Sequence, residues 1–451
     1  MNSGRKILNM IKVMVDTLSI IDDSNQDTTN EITVNYSIDT CKLLVVGGGS
    51  GGCAMAAKFA RSMTKKDLII VEPSDTHYYQ PMFTLIGGGI KKLTDSGKAT
   101  KSVLPSNATW LKDRVVEFFP EKNQVITLQG NTINYEFMLI AVGLQLNYEK
   151  IPGLIETLNI PNTGVCSNYS PKYVNKTYEV LQKFESGNAI FTLPNTPIKC
   201  PGAPQKICYI TEDYLRRHGK RDKTNIIYNT SLPVIFGAKK YADALWKLVE
   251  KRNIKVNLCT NLIEVKPKDK VAIFQSLDIP DKKSEVEFSM LHVTPPMSTP
   301  DVLSKCTELV NATGFVNVNK DTLQHVKYPN VFAIGDCSAT PNAKTAASVA
   351  VQSNVVYENM KAYMANQSLN AVYNGYASCP LVTGYGKCIL AEFDYDLNPL
   401  ETFPISQDKE MWVMYSMKKD FLPSLYWHLM LNGRWNGPRF VRNLMHFKFG
   451  G

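Results

Sequence analysis

Residues 42–72 read KLLVVGGGSGGCAMAAKFARSMTKKDLIIVE and decide the fold of this chain. A short apolar run leads into a group of glycines, a helix-like segment follows, and a second apolar run closes on the acid Glu72. Gly47, Gly49 and Gly52 have the G-x-G-x-x-G spacing at the point where a strand should turn into a helix. This arrangement predicts a βαβ unit that binds a dinucleotide.

Each residue type has a physical role in such a unit. Gly47 permits the tight turn, Gly49 lets the backbone approach a pyrophosphate, and Gly52 lets the helix pack close to the strand. The helix N-terminus presents free N–H groups to the phosphate charge, and Glu72 can accept hydrogen bonds from ribose hydroxyls. A glycine-rich turn in some other α/β protein is the alternative interpretation.

Composition and charge narrow the class of protein. The chain has 451 residues, of which 44% are hydrophobic and 20% charged, as is typical of a globular protein with two or three domains. The net charge of +9 is moderate and suits binding to an anionic membrane surface. The sequence has no block of Lys and Arg residues that would indicate binding to nucleic acid. The ten cysteines contain no C-x-x-C pair, so we expect neither a structural zinc site nor a secreted disulfide scaffold.

The N-terminal residues indicate targeting. Residues 1–14 contain three basic residues and no acid, and their apolar residues cluster on one side of a helical projection. Residues 21–40 are rich in Asp, Asn and Thr. Together these stretches predict a basic amphipathic targeting peptide with a linker, and a frayed terminus without function is the alternative. No run of about 18 apolar residues occurs, so we expect no membrane-spanning helix.

A second unit is expected from about residue 153, and we expect it to lack a nucleotide-binding glycine loop. Residues 77–89 (HYYQPMFTLIGGG) should form an aromatic-rich loop within the first unit. Residues 188–193 predict a parallel strand, after which a pyridine-nucleotide domain would carry another glycine turn. The chain instead reads PNTPIKCPGAPQKICY, whose prolines remove N–H donors and fix φ.

A later stretch of the sequence is expected to belong to the first unit again. Residues 328–336 predict a strand that ends in Gly-Asp, and a small-residue helix is expected from Lys344. Asp336 at such a strand end can hold a sugar-alcohol chain, and a helix N-terminus stabilises nearby negative charge. The predicted domains are a first dinucleotide-binding domain in two parts (41–152 and 296–374), a second Rossmann-like domain (153–295) and a C-terminal domain (375–451), after a targeting peptide and linker (1–40).

The C-terminal segment differs in character from the rest. Residues 421–449 combine many aromatic and apolar residues with four basic ones and no acid. Short amphipathic helices of this kind suit a segment that enters lipid headgroups without crossing the bilayer, and a helix pair packed on the core is the alternative. The predicted fold class is therefore α/β, with two Rossmann-like dinucleotide-binding domains and a C-terminal membrane-associating segment.

Two cysteines, Cys200 and Cys379, are each followed by proline. We expect both thiols at loop tips. A thiol or disulfide next to a flavin can take part in sulfur attack and pass two electrons to the ring, whereas an inert core thiol is the alternative. Four other cysteines lie in helical or strand-like runs and are expected in the core, namely Cys53, Cys208, Cys337 and Cys388.

Several of these stretches resemble the mitochondrial sulfide:quinone oxidoreductases, flavoproteins of the two-dinucleotide-domain superfamily. The resemblance is carried by GGGSGG (47–52), FTLPNTPIKCPGAPQKI (191–207), YPNVFAIGDC (328–337) and SCPLVTGYGK (378–387). It implies FAD as the cofactor. The residues implied to hold FAD, besides the glycines, are Ser50 and Gly51 at the pyrophosphate, Glu72 at the adenosine ribose, Gln80 and Val115 at further parts, Asp336 on the ribityl side and Lys344 at the flavin end.

The resemblance also implies a reaction and a location. Hydrogen sulfide would add to a bridge between Cys200 and Cys379, one cysteine would become a persulfide, and the other would deliver electrons to FAD and on to ubiquinone. The sulfur would pass to a small acceptor such as glutathione, coenzyme A, sulfite or sulfide. The enzyme would be a peripheral protein of the mitochondrial inner membrane, on the matrix side. This chain has Pro201 where animal members commonly have alanine, and it has no third cysteine at a matching motif.

Three alternatives remain at this point. A type II NADH:quinone oxidoreductase would share the fold and the flavin but needs a second glycine-rich nucleotide loop. A cytochrome-coupled sulfide dehydrogenase subunit would share the cysteines but would be exported and lack a membrane-facing tail. A non-enzymatic FAD-binding or redox-sensing module would bind FAD without needing the cysteine pair for electron transfer.

Overall fold

Two sheets built mainly from parallel strands organise the chain. The computed structural model describes residues 38–279 and 281–447, so the predicted targeting peptide lies outside the described residues. The strands are β1 (Ile38–Val46), β2 (Leu68–Val71), β3 (Thr76–Tyr78), β4 (Gly97–Ala99), β5 (Thr109–Leu111), β6 (Val115–Phe119), β7 (Gln124–Thr127), β8 (Thr132–Ile140), β9 (Gln145–Leu146), β10 (Val165–Cys166), β11 (Gly187–Leu193), β12 (Thr224–Thr230), β13 (Lys255–Asn257), β14 (Thr260–Lys266), β15 (Val271–Ser276), β16 (Lys283–Glu287), β17 (Met290–His292), β18 (Met297–Ser298), β19 (Val331–Ala333), β20 (Ala377–Gly384) and β21 (Lys387–Phe393).

The helices lie between these strands and after the last of them. Short 3₁₀ turns connect several elements, and two stretches of wider π-helical turns, Met417–Phe421 and Tyr426–Met430, join the C-terminal helices. The α-helices are α1 (Ser50–Phe59), α2 (Phe83–Gly87), α3 (Thr100–Val103), α4 (Leu154–Asn159), α5 (Val174–Lys183), α6 (Ala203–Arg217), α7 (Lys239–Lys251), α8 (Asp301–Ser304), α9 (Ala346–Met364), α10 (Trp412–Ser416), α11 (Leu422–Leu425) and α12 (Arg439–Met445).

The first sheet brings distant stretches of sequence to one edge. Its strand order is β5-β2-β1-β8-β7-β6, and β19 adds to β8. The register places Val46 opposite both Val71 and Ile140, and Ala333 opposite Ile140. The carboxyl ends of four parallel strands therefore align, which is the edge where open α/β sheets bind ligands. The predicted return of residues 328–336 to the first unit is confirmed by the pairing of β19 with β8.

The second sheet repeats the parallel plan in the order β10-β17-β11-β12-β13. The strand predicted at residues 188–193 is confirmed as β11, and α6 follows after a loop at residues 194–202. β11 pairs in parallel with β12 along its whole length, from Gly187 opposite Thr224 to Leu193 opposite Thr230. The loop that leaves the carboxyl end of β11 is the one that carries Cys200. The domain boundaries given above stay predictions.

An antiparallel hairpin, β20 with β21, packs on α6 and carries Cys379 opposite Ala391. Two polar contacts hold the hairpin in position. Arg252 donates a hydrogen bond to the Thr383 carbonyl, and the Tyr385 N–H donates to an Asp213 carboxylate oxygen at 2.9 Å. Arg252 directly follows α7 and Asp213 lies in α6, so the two contacts fix the end of β20 and the hairpin turn relative to both helices.

One local prediction was wrong, and one predicted helix is confirmed with a start two residues later. Residues 77–89 do not form a loop, because they contain the end of β3, a 3₁₀ turn with Pro81 and then α2. Three apolar side chains of α2, those of Phe83, Leu85 and Ile86, are buried and hold it against the core. The helix expected from Lys344 begins at Ala346, since the Thr345 side chain caps it by accepting from the Ser348 N–H at 3.2 Å.

In the structure the helical part of the C-terminal segment begins at Trp412, so the segment is taken from Trp412 onward, and it is only partly buried. Consecutive helical turns run from Trp412 to Met430, and α12 follows. Tyr426 and Met430 are buried, whereas Trp412 is 70% exposed and Phe440 is 79% exposed. Within residues 38–279 and 281–447, no helix has both the length and the apolar character needed to cross a membrane.

Candidate active site

The turn between β1 and α1 has the backbone that its glycines require. Gly47 has φ +101°, and a Cβ there would lie 2.6 Å from the Ala141 carbonyl oxygen. A Cβ on Gly52 would lie 1.8 Å from the Gly47 carbonyl oxygen, so the helix start can approach the strand only with glycine. A Cβ on Gly49 would meet no described atom within 4 Å, because that position faces a cavity.

Glu72 anchors this turn. One of its carboxylate oxygens accepts from the Gly48 N–H at 2.7 Å, and the other accepts from the Ser74 N–H at 2.8 Å. Each oxygen keeps a further lone pair for a ligand. Glu72 also lines the cavity, so its position fits the predicted role at a ribose.

One cavity of about 1410 Å³ extends from this turn to the cysteine loop. Ligand pockets for drug-sized molecules are about 300–1,000 Å³, so this one has room for a dinucleotide and a second molecule. All of the predicted site residues line it except Gly52, which packs against Gly47, and Cys379, which lies beside Cys200. The lining includes the predicted residues Gly47, Gly49, Ser50, Gly51, Glu72, Gln80, Val115, Cys200, Asp336 and Lys344.

The cavity lining includes a half-buried acid, Asp336, and two nearby lysines, Lys199 and Lys344. Asp336 follows β19 in a 3₁₀ turn, and burial raises its pKa while Lys199 and Lys344 oppose that rise. Lys344 donates to the Ser338 and Thr340 carbonyl oxygens at 2.7 and 2.9 Å. Burial lowers the pKa of both Lys199 and Lys344 to about 8. These groups are placed to position a polar ligand chain.

The two cysteines meet across 179 residues of sequence. The Cys200 and Cys379 Sγ atoms lie 3.9 Å apart, and both cysteines are free thiols. Cys200 sits in a turn with φ +53°, its N–H donates to the Lys344 carbonyl at 2.8 Å, and its carbonyl accepts from the Ala203 N–H. A Cβ on Gly202 would lie 2.6 Å from the Cys379 Sγ, so glycine is what allows this approach.

The loop-tip prediction is wrong for Cys379. It lies within β20 and is 3% exposed, because the hairpin buries it against the turn that precedes α6. Cys200 does lie in a turn, with intermediate exposure. The core positions expected for Cys53, Cys208, Cys337 and Cys388 are confirmed, since all four are buried.

A buried lysine polarises the cysteine pair. The Lys206 Nζ donates to the Cys200 Sγ at 3.2 Å, and Lys206 is 3% exposed. The pKa of Cys200 is held well below its ordinary value, first by the hydrogen bond from the Cys379 thiol and then by the Lys206 cation, against the effect of burial. The pKa of Cys379 is raised well above its ordinary value, first by its bond to Cys200 and then by burial. The position of the Lys206 cation beside Cys200 and the opposite directions of the two pKa shifts favour Cys200 as the thiolate and Cys379 as the thiol.

Three residues around the cavity were missed by the sequence analysis. Lys206 and Lys418 are buried cations near the cysteines, and Tyr426 reaches the glycine turn from the C-terminal segment. Burial lowers the pKa of Lys418 to about 8. Lys206 lies in the quoted stretch 191–207, but a single lysine in an amphipathic helix has no distinguishing pattern. Lys418 and Tyr426 carry no local signal at all.

The parallel sheets and the glycine turn fit the class of dinucleotide-binding oxidoreductases, and the neighbouring cysteines fit those members that carry a redox-active dithiol. A family model described as "Pyridine nucleotide-disulphide oxidoreductase" matches residues 41–185. A relative from Mus musculus, "Sulfide:quinone oxidoreductase, mitochondrial", is 52% identical over 405 residues, which are 90% of this chain and 89% of the relative. A relative of the same name from Dictyostelium discoideum is 43% identical over 89% of this chain and 88% of its own.

The chain belongs to the sulfide:quinone oxidoreductase family. It is thus an FAD-dependent oxidoreductase. The fold also matches a solved structure, the sulfide:quinone oxidoreductase of Aquifex aeolicus, with a TM-score of 0.75 at 20% identity, covering 91% of this chain and 96% of the other. The resemblance expected from the sequence is confirmed.

Proposed function

We propose that the protein oxidises hydrogen sulfide at the Cys200–Cys379 pair, transfers the sulfane sulfur to a small acceptor and passes two electrons to ubiquinone. The observation that carries this proposal is the 3.9 Å approach of a Lys206-bound thiolate and a second thiol, on a cavity shared with the dinucleotide turn. A second glycine turn would be needed for NADH, and the proline-rich loop at 194–202 does not supply it.

The polarity of the pair supports an order of events, starting from its disulfide form. Because the thiol with the lower pKa leaves faster, sulfide adds to the Cys379 Sγ, the S–S bond breaks, and Cys200 leaves as a thiolate held by Lys206. Cys379 then carries the added sulfur as a persulfide. A small nucleophile such as glutathione, coenzyme A or sulfite takes that outer sulfur and leaves Cys379 as a thiolate. Closure of the Cys200–Cys379 bond then releases two electrons.

FAD supplies the two-electron acceptor between the dithiol and the quinone. We assign its pyrophosphate to the free N–H groups at the start of α1, in particular those of Ser50 and Gly51, since a helix N-terminus favours anions. Glu72 would accept hydrogen bonds from the adenosine ribose hydroxyls. Asp336 and Lys344 line the cavity toward the cysteine loop and would hold the ribityl and flavin parts, and Gln80 and Val115 line the cavity wall.

The C-terminal segment supports the quinone and membrane parts of the proposal. Its apolar side chains line one part of the cavity, among them Phe421, Leu425 and Trp435. Others on the same segment point to solvent, such as Trp412 and Phe440. A long apolar quinone would enter between these side chains from the lipid surface, and the protein would lie on the membrane as a peripheral protein.

The mitochondrial inner membrane, on its matrix side, is the proposed location. Relatives from Mus musculus and Dictyostelium discoideum are named as mitochondrial. The basic, acid-free residues 1–14 support import.

Anaerobic titration of the FAD-loaded protein tests the activity. Sulfide should bleach the flavin absorbance rapidly, with a long-wavelength charge-transfer band, while NADH in a separate cuvette should not. Cys200→Ser or Cys379→Ser should remove nearly all of the sulfide-dependent bleaching and leave FAD bound, because the cofactor contacts lie on other residues. Cys259→Ser is the matched control, since Cys259 lies outside the cavity lining. Rapid reduction by NADH, or undiminished bleaching in either cysteine variant, would sink the proposal.

A further inference from the structure

The C-terminal segment reaches the dinucleotide turn through one buried tyrosine. Tyr426 is 2% exposed, and its hydroxyl oxygen lies 2.8 Å from the Ser50 Oγ and 2.5 Å from the His77 Nε2. The other ring nitrogen of His77, Nδ1, lies 3.1 Å from the Gly48 carbonyl oxygen. A chain of hydrogen bonds thus runs from Gly48 through His77 and Tyr426 to Ser50. The reaction described above uses none of its side chains.

The Gly48 carbonyl sets the donor and acceptor at each step of this series of hydrogen bonds. A carbonyl only accepts, so the hydrogen of the imidazole is on Nδ1 and points to Gly48. Burial lowers the pKa of His77 and raises that of Tyr426, so both are neutral. Nε2 then accepts from the Tyr426 hydroxyl, and the tyrosine oxygen accepts from the Ser50 hydroxyl.

This direction commits the Ser50 hydroxyl hydrogen to Tyr426. A phosphate at the start of α1 would therefore be met by backbone N–H groups, and the serine side chain would serve to fix the turn. Glu72 holds the same turn at the Gly48 N–H, at 2.7 Å. The turn is anchored at Gly48 by Glu72 and His77 and at Ser50 by Tyr426, so its shape is set before a ligand binds.

Further contacts dock the C-terminal segment on α1 and the residues just after it. The Lys58 Nζ donates to the Asn436 side-chain oxygen at 2.7 Å, and Arg61 donates to the Asn432 carbonyl at 2.8 Å. A Cβ on Gly433 would lie 2.9 Å from the Ala54 carbonyl oxygen. Tyr426 is thus held in place by a segment that packs along the helix whose N-terminus faces the cavity.

We propose that Tyr426 is a positioning residue for FAD, and that through Ser50 and His77 the C-terminal segment sets how tightly the cofactor is retained. The inference rests on FAD as the ligand of the cavity and is independent of the sulfide reaction. Docking of the segment and retention of FAD are then linked, because loss of the Tyr426 contact leaves the His77 Nε2 without its donor and frees the Ser50 side chain.

The test is the affinity of the apoprotein for FAD, measured by fluorescence titration without sulfide or quinone. Tyr426→Phe should weaken FAD binding roughly three- to ten-fold, as expected for the loss of a buried hydrogen bond. Tyr415→Phe is the matched control and should bind FAD like the parent, because Tyr415 is a buried tyrosine of the same segment whose hydroxyl bonds to the Gly386 backbone and not to the dinucleotide turn. Equal losses in the two variants would mean that Tyr426 only stabilises the segment, which would overturn the proposal.

A double-mutant cycle with Ser50→Ala makes the test specific. If Tyr426 acts through Ser50, the serine change should cost FAD affinity in the parent and add little in Tyr426→Phe. Fully additive losses would show that the Ser50 hydroxyl contacts the phosphate directly and would overturn the proposal, as would parental FAD affinity in Tyr426→Phe. Since no sulfide is present, a failure of sulfide oxidation would not alter any of these readouts.

Discussion

Lys206 is the residue that makes the cysteine pair asymmetric. The pKa of Cys200 is held well below its ordinary value, so its thiolate persists to lower pH than that of a free cysteine and is lost only as the pH falls through the lowered pKa. Lys206→Met removes a cation 3.2 Å from the sulfur, and the pKa of Cys200 should rise by about 1–2 units. The pH midpoint of Cys200 alkylation by iodoacetamide, followed in the reduced protein, should shift upward by that amount.

An exposed lysine provides the control for this prediction. Lys251→Met changes the net charge equally at the exposed end of α7 and should leave the alkylation midpoint unchanged. An unshifted midpoint in Lys206→Met would mean that the hydrogen bond from Cys379, and not the lysine, sets the pKa of Cys200.

At the scale of elements, the start of α6 and the β20–β21 hairpin must fit closely for the sulfurs to meet. A Cβ on Gly202 would lie 2.6 Å from the Cys379 Sγ and 2.9 Å from the Leu381 Cδ2. Gly202→Ala should therefore push the hairpin away and lower the free energy of unfolding by about 1–3 kcal/mol. It should also slow closure of the Cys200–Cys379 disulfide. Urea unfolding of the reduced protein and thiol titration during oxidation measure the two effects.

Gly237→Ala is the matched control, because Gly237 has more space around its Cα atom. Its Cβ would lie 3.6 Å from the Leu397 side chain, an ordinary contact, so neither stability nor disulfide closure should fall. If Gly202→Ala behaved like Gly237→Ala, the close packing of the turn on the hairpin would not control the cysteine approach.

For the whole molecule, the exposed apolar side chains of the C-terminal segment should determine membrane binding. Burying one aromatic side chain in lipid is worth about 1.5–3 kcal/mol, or roughly ten-fold or more in affinity. Trp412→Ser combined with Phe440→Ser should therefore reduce co-sedimentation with vesicles of phosphatidylcholine and an anionic phospholipid by at least about ten-fold.

Two equally exposed residues elsewhere serve as the comparison for this experiment. Leu128 is 68% exposed and Val372 is 65% exposed, and both lie outside the C-terminal segment. Leu128→Ser combined with Val372→Ser should leave vesicle binding unchanged. Similar losses in both pairs would mean that general surface hydrophobicity, and not this segment, holds the protein on lipid.

Much of the fold and part of the site were predictable because their signals are local. The glycine spacing at 47–52, the apolar runs of the parallel strands and the proline-rich loop after β11 each depend on residues close together in sequence. The loop predicted at residues 77–89 was wrong for the opposite reason, since α2 exists through burial of Phe83, Leu85 and Ile86 against the core. Cys379 was misplaced because nothing near it in sequence reveals the hairpin that buries it.

The sequence by itself determined the class of protein, because the glycine spacing of the dinucleotide turn and the residues around the two cysteines identify the family. Only the tertiary structure decided which cysteine is the thiolate and what holds the turn. The first turns of α6 place Lys206 beside Cys200. Cys379 is 179 residues from Cys200 in sequence, and Tyr426 is 376 residues from Ser50, yet each pair is in contact in the fold. A pKa depends on charges and burial within a few ångströms in space, and chain packing alone sets those distances.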